Sequence, residues 1–384
     1  MINVFQPSLG DEELAAVSEV FTSNWLGHGP RTKAFEAEFA DHLGVPPEHV
    51  LFVNSATAGL FLAMELLGLG PGDDVVLPSM SFVAAGNAIG ATGARPVFCD
   101  VDPRTLNPTA ADVERALTPA TKAVLLLHYG GYPGDVAAVA RLCEERGIRL
   151  IEDAACAVAS SVDGRKCGTF GDLAMWSFDS MKVLVTGDGG MLYARDADVA
   201  RRARRLAYHG LEQSSGFAAA KVSHRWWELN VKEFGRRVIG NDVTAAIGSV
   251  QLRRLPGFVE RRREIAGAYD RLLAGAEGIV TPPPLPAGHT SSYYFYWVRL
   301  DAAIRDQVAA DLLERGVYTT LRYPPLHKVP AYGGRTSGDL PGTDEASDTT
   351  LLLPLHQGLD DADVRTVADE LRRAVERRSG RAAA

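Results

Sequence analysis

The sequence predicts an α/β protein in which helices cover both faces of a mostly parallel sheet, followed by a smaller C-terminal α+β domain. Short apolar runs alternate with helical patterns over residues 50–153, which is typical of parallel strands buried on both faces. A proline-rich break stands at Thr281–Pro286, and the pattern after it is different. The 384 residues suggest two domains, at roughly 100–200 residues per domain. We expect the large domain at 1–245 and the small domain at 246–384.

The elements of the large domain follow in chain order. We expect helices over 11–22, 32–43, 56–67, 82–91, 110–116 and 134–146. We expect strands over 50–53, 75–78, 95–100, 123–128 and 149–153. Such sheets bind ligands at the carboxyl ends of their strands. The polar residues at or just after these ends are therefore the first site candidates: Asn54, Ser55, Ser79, His128 and Asp153.

The remainder of the chain is less regular. The segment Glu212–Gly240 is rich in polar and aromatic residues and follows no regular helix or strand pattern. Helical periodicity returns over 242–273, with an expected interruption at Pro256. After the proline-rich break we expect strands over 292–300 and 318–323 and helices over 303–315 and 360–377. The final residues, 378–384, are expected to fray.

Composition and charge exclude several classes of protein. Apolar residues make up 46% of the chain and charged residues 23%, which is globular rather than disordered usage. The net charge of −8 argues against a broad nucleic-acid-binding face, although a small basic pocket for a phosphorylated ligand remains compatible with it. The longest apolar stretch, 75–91, is broken by Pro78 and polar residues, so we expect no membrane span.

The four cysteines give neither a metal site nor a disulfide scaffold. Cys99, Cys143, Cys156 and Cys167 form no Cys-x-x-Cys pair and fit no zinc spacing. Their low density in a chain of this size favours a reducing cytoplasm. The N-terminus lacks a basic segment and a long apolar run, so we expect no signal peptide.

The segment Gly168–Tyr193 carries the most chemical information. Its single lysine, Lys182, lies between Ser177 and a Gly-rich turn at 187–190. Burying an ammonium is costly, and a buried lysine with a lowered pKa is what Schiff-base chemistry needs. A surface lysine on a glycine turn is the alternative, and the residue types alone favour neither.

Three further signals lie at predicted strand ends. Asp153 could cap a helix, or it could hold the ring nitrogen of pyridoxal phosphate (PLP) protonated. The run Asn54–Gly59 offers amides and hydroxyls that suit a phosphate at a helix N-terminus. Phe82 could stack on a planar cofactor, although core packing is the simpler interpretation. Each signal is weak alone, but with Lys182 they fall in chain order at strand ends.

On these residues the sequence resembles the DegT-type nucleotide-sugar aminotransferases, a family of PLP-dependent enzymes of fold type I. The resemblance covers nearly the whole chain and rests on a combination of motifs. They are Trp25–Pro30, Asn54–Ala58, Pro78–Phe82, Glu152–Ala155, Gly171-Asp172, Ser177-Phe178, Lys182, Gly187–Gly190, Ala245–Gly248, Gln251-Leu252, Tyr323–His327 and Leu353–His356. The resemblance implies a seven-stranded, mostly parallel sheet in the large domain. It also implies a homodimer with shared active sites, to which Glu212–Gly240 would contribute.

The resemblance implies roles for the matching residues. Lys182 would form the Schiff base with PLP and then move a proton between cofactor and substrate carbons. Asp153 would pair with the pyridine nitrogen, and Phe82 would stack on the ring. The cofactor phosphate would be bound by Ala56, Thr57 and Ser177.

Three positions depart from the family pattern. Cys156 stands where the family usually has Gln or His near the ring hydroxyl of the cofactor, and a thiol is a weaker hydrogen-bonding group. Arg237 stands where an Asn often reaches the partner's phosphate, and an arginine could still bind it. Ala56 replaces the usual glycine of the phosphate loop, which is tolerable if its φ is negative.

The resemblance implies a two-stage transamination. L-Glutamate would give its amino group and leave as 2-oxoglutarate, and a nucleotide-linked keto-sugar would then accept the group. The expected acceptor is a dTDP-4-keto-6-deoxyhexose, which yields a 4-amino-4,6-dideoxy sugar, and a 3-keto isomer is the main alternative. The candidates for contact with the sugar nucleotide are Trp25, His28, Tyr129, His327 and the pair Trp226-Trp227.

Other classes fit the sequence less well. Sugar dehydratases on the same fold typically replace the Schiff-base lysine with histidine, so Lys182 favours transamination. A non-catalytic regulator would not need Asp153, Lys182 and the Gly-rich turn together. A Rossmann dehydrogenase requires G-x-G-x-x-G after its first strand, and that motif is missing.

Overall fold

The computed structural model describes residues 1–212, 225, 227–333 and 339–380. The helices are α1 (Asp11–Ser23), α2 (Pro30–Leu43), α3 (Ala56–Leu66), α4 (Val83–Gly90), α5 (Ala110–Ala116), α6 (Val136–Arg146), α7 (Ala197–Ala207), α8 (Asp242–Leu273), α9 (Arg305–Glu314), α10 (Pro341–Thr349) and α11 (Asp361–Arg378). The strands are β1 (Val50–Val53), β2 (Asp74–Pro78), β3 (Arg95–Cys99), β4 (Thr121–Leu127), β5 (Arg149–Asp153), β6 (Ser161–Val162), β7 (Arg165–Lys166), β8 (Leu173–Ser177), β9 (Gly190–Ala194), β10 (His289–Thr290), β11 (Tyr296–Arg299) and β12 (Thr350–Leu353). Within these ranges, no helix is long and apolar enough to cross a membrane.

Seven strands form the central sheet, in the order β1-β9-β8-β5-β4-β2-β3. The pairings between β8 and β3 are parallel, whereas β9 runs antiparallel to both of its neighbours. The sheet is therefore mixed and mostly parallel, which confirms the predicted fold class. Every residue of β1, β2 and β9 is buried, because helices cover both faces of the sheet.

Two of the predicted elements are wrong. Residues 318–323 form no strand; Thr320 makes only an isolated bridge to Leu352, and the peptide bond between Arg322 and Tyr323 is cis. α8 runs without interruption through Pro256. Because Pro256 is exposed, water can satisfy the helix carbonyl that loses its N–H partner there.

The C-terminal part of the chain has its own core. β11 and β12 pair antiparallel, and the end of α8 packs with α9 and α11 around them. The buried side chains of this cluster come from residues 265–375. Leu255 and Phe258, which lie earlier in α8, belong instead to a core cluster of the sheet. The division at 245/246 stays a prediction, and α8 crosses it.

α8 also holds the two N-terminal helices. Asp242, its first residue, accepts hydrogen bonds from the amide and the hydroxyl of Thr32 at 2.9 and 2.7 Å and thereby caps α2. Farther along α8, Gln251 and Arg254 donate to the same Glu13 carboxylate oxygen at 2.7 and 2.6 Å. These contacts place the loop between α1 and α2 beside the start of α8.

Candidate active site

A cavity of about 410 Å³ opens at the carboxyl ends of the central strands. Its wall comes from the start of α3, the start of α4, the end of β5 and the connection between β8 and β9. Seven residues expected at the cofactor site line it together: Ala56, Thr57, Phe82, Asp153, Cys156, Ser177 and Lys182. Sheet topology brings them together from segments that are far apart in the chain.

The start of α3 supplies the polar floor of the cavity. Ser55 is the N-cap, and its Oγ accepts a hydrogen bond from the Ala58 amide at 3.1 Å. Helix geometry leaves the first amides without intrahelical partners, so Ala56 and Thr57 offer N–H groups suited to an anion. Ala56 is already helical, so its φ is negative and its methyl group is tolerated.

Gly190 lets β9 pass directly against this helix start. A Cβ at position 190 would lie 2.6 Å from the Ala56 nitrogen and 2.9 Å from its Cα. That separation is too short for non-bonded atoms, so any side chain would displace the first turn of α3. The glycine run therefore has a packing role that its sequence alone does not reveal.

Lys182 lies on the turn between β8 and β9. Its amide donates to the Asp179 carbonyl at 2.9 Å, and its Nζ lies 4.7 Å from the centre of the Tyr294 ring. Burial alone lowers the pKa of Lys182. The influence of Tyr294, Cys156 and Asp153 outweighs burial and raises this pKa above its ordinary value. The neighbours of Lys182 thus offset its burial, and only the deprotonated amine can act as a nucleophile.

Asp153 ends β5 at the back of the cavity and is only 4% exposed. Its carboxylate accepts a hydrogen bond from the Ala155 amide at 3.1 Å. Burial raises the pKa of this carboxyl, and the Ala155 amide and the charges of Lys182 and His128 oppose that rise. The residue is therefore an acid whose protonation depends on its cationic neighbours.

A buried ion pair supports Asp153 from behind. His128 Nε2 lies 2.8 Å from Glu152 Oε2, and both side chains are fully buried. Glu152 also accepts hydrogen bonds from the amides of Gly168 and Gly171, each at 2.6 Å. Although burial opposes it, the contacts with Cys167 and Glu152 raise the pKa of His128 well above its ordinary value. A cationic imidazole thus lies beside the strand end that carries Asp153.

Cys156 is buried in the cavity wall with Tyr323. Burial raises the pKa of the Cys156 thiol, and the side chains of Lys182 and Tyr323 oppose that rise. The Tyr323 ring also packs 5.3 Å from the Phe82 ring, centre to centre. Phe82 itself is 46% exposed, so one face of its ring remains available to a ligand.

None of the predicted substrate contacts that the structure describes lines this cavity. Trp25 is half exposed in the loop between α1 and α2, where its indole N–H donates to the His28 carbonyl at 3.2 Å. Tyr129 is buried, and its hydroxyl donates to the Arg322 carbonyl. We correct its predicted role accordingly: Tyr129 supports the cavity wall from the core and does not present its hydroxyl to a ligand.

The other candidates are also absent from the cavity lining. The hydroxyl of Ser79 accepts from the His327 amide at 3.2 Å and lies 2.6 Å from the His327 Nδ1 atom, which fixes that ring just beyond the end of β2. Arg237 is exposed, with its guanidinium carbon 5.6 Å from the centre of the Tyr208 ring. Trp227 is exposed, and Trp226 lies outside the described residues.

Several residues of the cavity wall escaped the sequence interpretation. Asp179, Asp188 and Arg322 line the cavity together with Tyr323. The first two flank Lys182, and Arg322 directly precedes the Tyr323–His327 motif, so proximity to recognised motifs was the available signal. Side-chain chemistry alone did not separate them from surface charges.

The sequence pattern of a known protein family matches nearly the whole of this chain, and that match decides the family. The pattern described as "DegT/DnrJ/EryC1/StrS aminotransferase family" matches residues 7–372. The chain belongs to this family. Lys182, Asp153 and the start of α3 thus line one cavity in a chain of this aminotransferase family.

Individual relatives agree with this assignment. The chain is 69% identical over 376 residues to a dTDP-4-dehydro-2,3,6-trideoxy-D-glucose 4-aminotransferase of Saccharopolyspora spinosa, covering 98% of this chain and 97% of that protein. It is similar to the crystal structure of the aminotransferase TlmJ from Streptoalloteichus hindustanus, with a TM-score of 0.94, 64% identity, and coverage of 98% and 99% of the two chains.

A third comparison concerns the cofactor. The PLP-form structure of the putative sugar aminotransferase Spr1654 from Streptococcus pneumoniae matches with a TM-score of 0.89 and 26% identity, covering 98% of this chain and 99% of that chain. A PMP-form of the same protein matches with a TM-score of 0.92. The fold of this chain is therefore shared with proteins solved in cofactor-loaded forms.

Proposed function

We propose that this protein is a PLP-dependent transaminase that moves the amino group of L-glutamate to the 4-keto position of a dTDP-linked deoxysugar. The observation that carries the proposal is that Lys182 and Asp153 share one cavity with the amide and hydroxyl cradle at the start of α3. The 69% identity with a dTDP-4-keto-sugar 4-aminotransferase supports carbon 4 over carbon 3.

The residues present fit PLP. The N-terminus of α3 and the Thr57 and Ser177 hydroxyls suit a phosphate, and Gly190 keeps that cradle open because a Cβ there would collide with Ala56. Asp153 would hold the ring nitrogen, and Phe82 would pack on the ring. When bound, PLP would supply an aldehyde that accepts the amino group and a ring that delocalises the charge formed at the reacting carbon.

Lys182 would move the proton. The structure places its Nζ at the cavity wall beside Tyr294, where its ammonium form would donate a proton. After giving up that proton, the same amine is a base, so one residue would serve both directions of transfer. Asp153 would supply a negative charge at the back of the cavity, favoured by the Ala155 amide and by the charges of Lys182 and His128 against the effect of burial.

The oligomeric state and the compartment are also proposals. We infer a homodimer, which the exposed apolar side chains of Leu229, Val231 and Phe234 support because monomeric proteins rarely expose such clusters. Arg237 follows this segment and would reach a partner's cofactor phosphate. The four free, buried cysteines support a reducing cytoplasm.

The cofactor proposal is tested by absorption spectroscopy. Protein loaded with PLP should absorb visible light, and both borohydride and L-glutamate should remove that band. Lys182→Ala should lose turnover by roughly a thousandfold or more, whereas the control Lys122→Ala, which removes an exposed lysine of β4, should behave as wild type. A colourless protein that binds no added PLP would overturn the proposal.

The position of amination needs a separate experiment. Wild-type protein is incubated with a dTDP-4-keto-2,3,6-trideoxyhexose or dTDP-4-keto-6-deoxyglucose and L-glutamate, and the product is examined by NMR. We expect the new amine on carbon 4. An amine on carbon 3 would refute the proposed regiochemistry, and PLP binding with no glutamate-dependent bleaching would indicate a dehydratase or a regulator.

A further inference from the structure

Lys182 is a cation of the cavity wall whose amine lies against an aromatic ring. Its Nζ atom is 4.7 Å from the centre of the Tyr294 ring. The other nearby groups that raise its pKa are Cys156, Asp153 and Asp179. In the described part of the chain, however, no carboxylate forms an ion pair with this amine. A buried ammonium usually pairs with a carboxylate, so the ring occupies the place where such a partner would be expected.

Packing fixes the ring of Tyr294. The residue is only 1% exposed, and the rings of Phe5 and Phe295 lie 5.4 and 4.4 Å from its ring, centre to centre. The Tyr294 hydroxyl has no hydrogen-bond partner among the described residues. The position of the ring is therefore set by its aromatic neighbours and not by a hydrogen bond of its own.

Arg262 holds the backbone next to this ring. Its side chain is fully buried, and its guanidinium donates to the carbonyls of Tyr293 and Leu355 at 3.1 and 3.0 Å. Tyr293 has a φ of 47°, in the left-handed region that residues other than glycine rarely adopt. Because one buried cation of α8 binds this loop and the segment after β12 together, the backbone that carries Tyr294 is held in place.

The ring face, rather than the hydroxyl, is the part of Tyr294 that can attract the amine. Burial raises the pKa of the Tyr294 phenol, and the charge of Lys182 opposes that rise. With a raised pKa the phenol is neutral at neutral pH and adds no negative charge to the cavity. The face of an aromatic ring still carries negative charge density and attracts an ammonium.

We propose that Tyr294 is a positioning residue whose ring holds the free ammonium of Lys182 at the cavity wall while the amine is not bonded to the cofactor. This inference rests on the proposed function, in which Lys182 alternates between a bond to the cofactor and proton transfer. A carboxylate in contact would bind the ammonium through strong hydrogen bonds, which would have to break in every cycle. A ring attracts the same charge without accepting such bonds, so the amine stays near the reacting atoms and remains available.

NMR of the full-length protein, without cofactor and with its lysines labelled at Cε with carbon-13, tests the contact directly. The chain has seven lysines, and comparison with Lys182→Arg identifies the Lys182 signal. Tyr294→Phe keeps the ring, whereas Tyr294→Leu removes it but keeps an apolar side chain. The control is Tyr269→Leu, which removes an equally buried tyrosine outside the cavity.

In wild type and Tyr294→Phe, we expect the Cε protons of Lys182 to resonate upfield of those of the exposed Lys122, because of the ring current. In Tyr294→Leu that displacement should disappear. The pH midpoint of the Lys182 signal should also fall by roughly 0.4 to 1.5 pH units, because the charged form loses a cation–π attraction. Tyr269→Leu should leave both quantities unchanged.

Single-turnover reactions of the PLP-loaded protein with L-glutamate give a second readout. We expect Tyr294→Leu to lower the maximal rate roughly 10-fold, because the amine is no longer held in place. The half-saturating glutamate concentration should stay within about twofold of wild type, because the ring contacts the lysine and not the donor.

Three results would overturn the inference. The first is the absence of the upfield displacement in wild type, which requires no variant to fold. The second is a midpoint that falls as far in Tyr294→Phe as in Tyr294→Leu, since the hydroxyl would then be the group that acts. The third is a Tyr294→Leu protein in which only the half-saturating glutamate concentration changes. If wild type shows the upfield signal but binds no PLP, the proposed function fails while the contact between ring and amine stands.

Discussion

Asp153 is the residue at which stability and chemistry conflict. It is buried at the end of β5, and burial raises its pKa. A carboxyl with a raised pKa binds its proton more tightly in the folded state than in the unfolded state. The folded protein therefore loses stability as the pH rises through that pKa. Keeping Asp153 charged for a cofactor ring nitrogen thus lowers the free energy of unfolding. The charge of His128 reduces that loss.

Asp153→Asn should separate the two effects. Turnover should fall by roughly a hundredfold or more, because the amide cannot supply a negative charge. Thermal unfolding at pH 7 should show equal or higher stability, because the buried charge is gone while an oxygen can still accept from the Ala155 amide. In wild type, the acidic limb of activity should lie above the pH expected for an ordinary aspartate. A variant that loses activity and is also strongly destabilised would contradict this interpretation.

The site residues divide into those that a sequence can indicate and those that it cannot. Lys182 and Asp153 are predictable, because the chemistry needs one residue type at a strand end. Arg322 and Tyr294 are not, because their importance depends on ring stacking between segments that meet only in the folded chain. The sequence leaves open whether Lys182 is buried, and it does not indicate which groups face the amine in the folded chain.

Among the elements, α2 depends on a cap supplied from more than two hundred residues away. Both oxygens of the Asp242 carboxylate are used, by the amides of Gly29 and Thr32 at 2.8 and 2.9 Å and by the Arg31 amide at 3.2 Å. A negative group at a helix N-terminus also interacts favourably with the helix dipole. The sequence predicted α2 and the bounds of α8, but it did not indicate the contact between them, because capping motifs are recognised only between near neighbours in the chain.

Asp242→Ala should destabilise the protein by about 2 to 3 kcal/mol, because several amide donors lose their acceptor in a buried place. Asn241→Ala is the matched control. Asn241 caps only its own helix, through one bond to the Thr244 amide at 3.1 Å, so its loss should cost about 1 kcal/mol. Urea denaturation followed by circular dichroism measures both. If both variants lost the same free energy of unfolding, the cap from Asp242 would contribute no more to stability than the local cap from Asn241.

For the whole molecule, the described segment 227–234 lies open to solvent with apolar side chains. Phe234 is 99% exposed, and Leu229 and Val231 are also exposed. The sequence identified this region as a departure from the α/β pattern, and the family resemblance implied that it contributes to the shared active sites of a homodimer. A fold of this size has enough core to bury such groups elsewhere, so their exposure supports the proposed association with a second copy.

Phe234→Glu should shift the protein from dimer to monomer, because a charge would have to be buried in the contact. Sedimentation velocity at several protein concentrations measures the shift, and transaminase activity should fall with it. Leu313→Glu, which changes an exposed apolar residue of α9, should leave the mass unchanged. If Phe234→Glu sediments like wild type, this segment is not the interface.

The pairing of α1 with α8 has a consequence for recombining members of this family. Glu13 lies near the N-terminus, and its partners Gln251 and Arg254 lie beyond residue 245. A chimera joined at 245/246 would therefore combine a carboxylate from one parent with donors from the other, although a domain map suggests a clean junction there. Leu255 and Phe258 still belong to the core of the sheet, and the C-terminal core begins at Ile265. A crossover between 258 and 265 would keep Glu13 with its two donors in one parent, although the sheet cluster would still receive Tyr294 and Phe295 from the other.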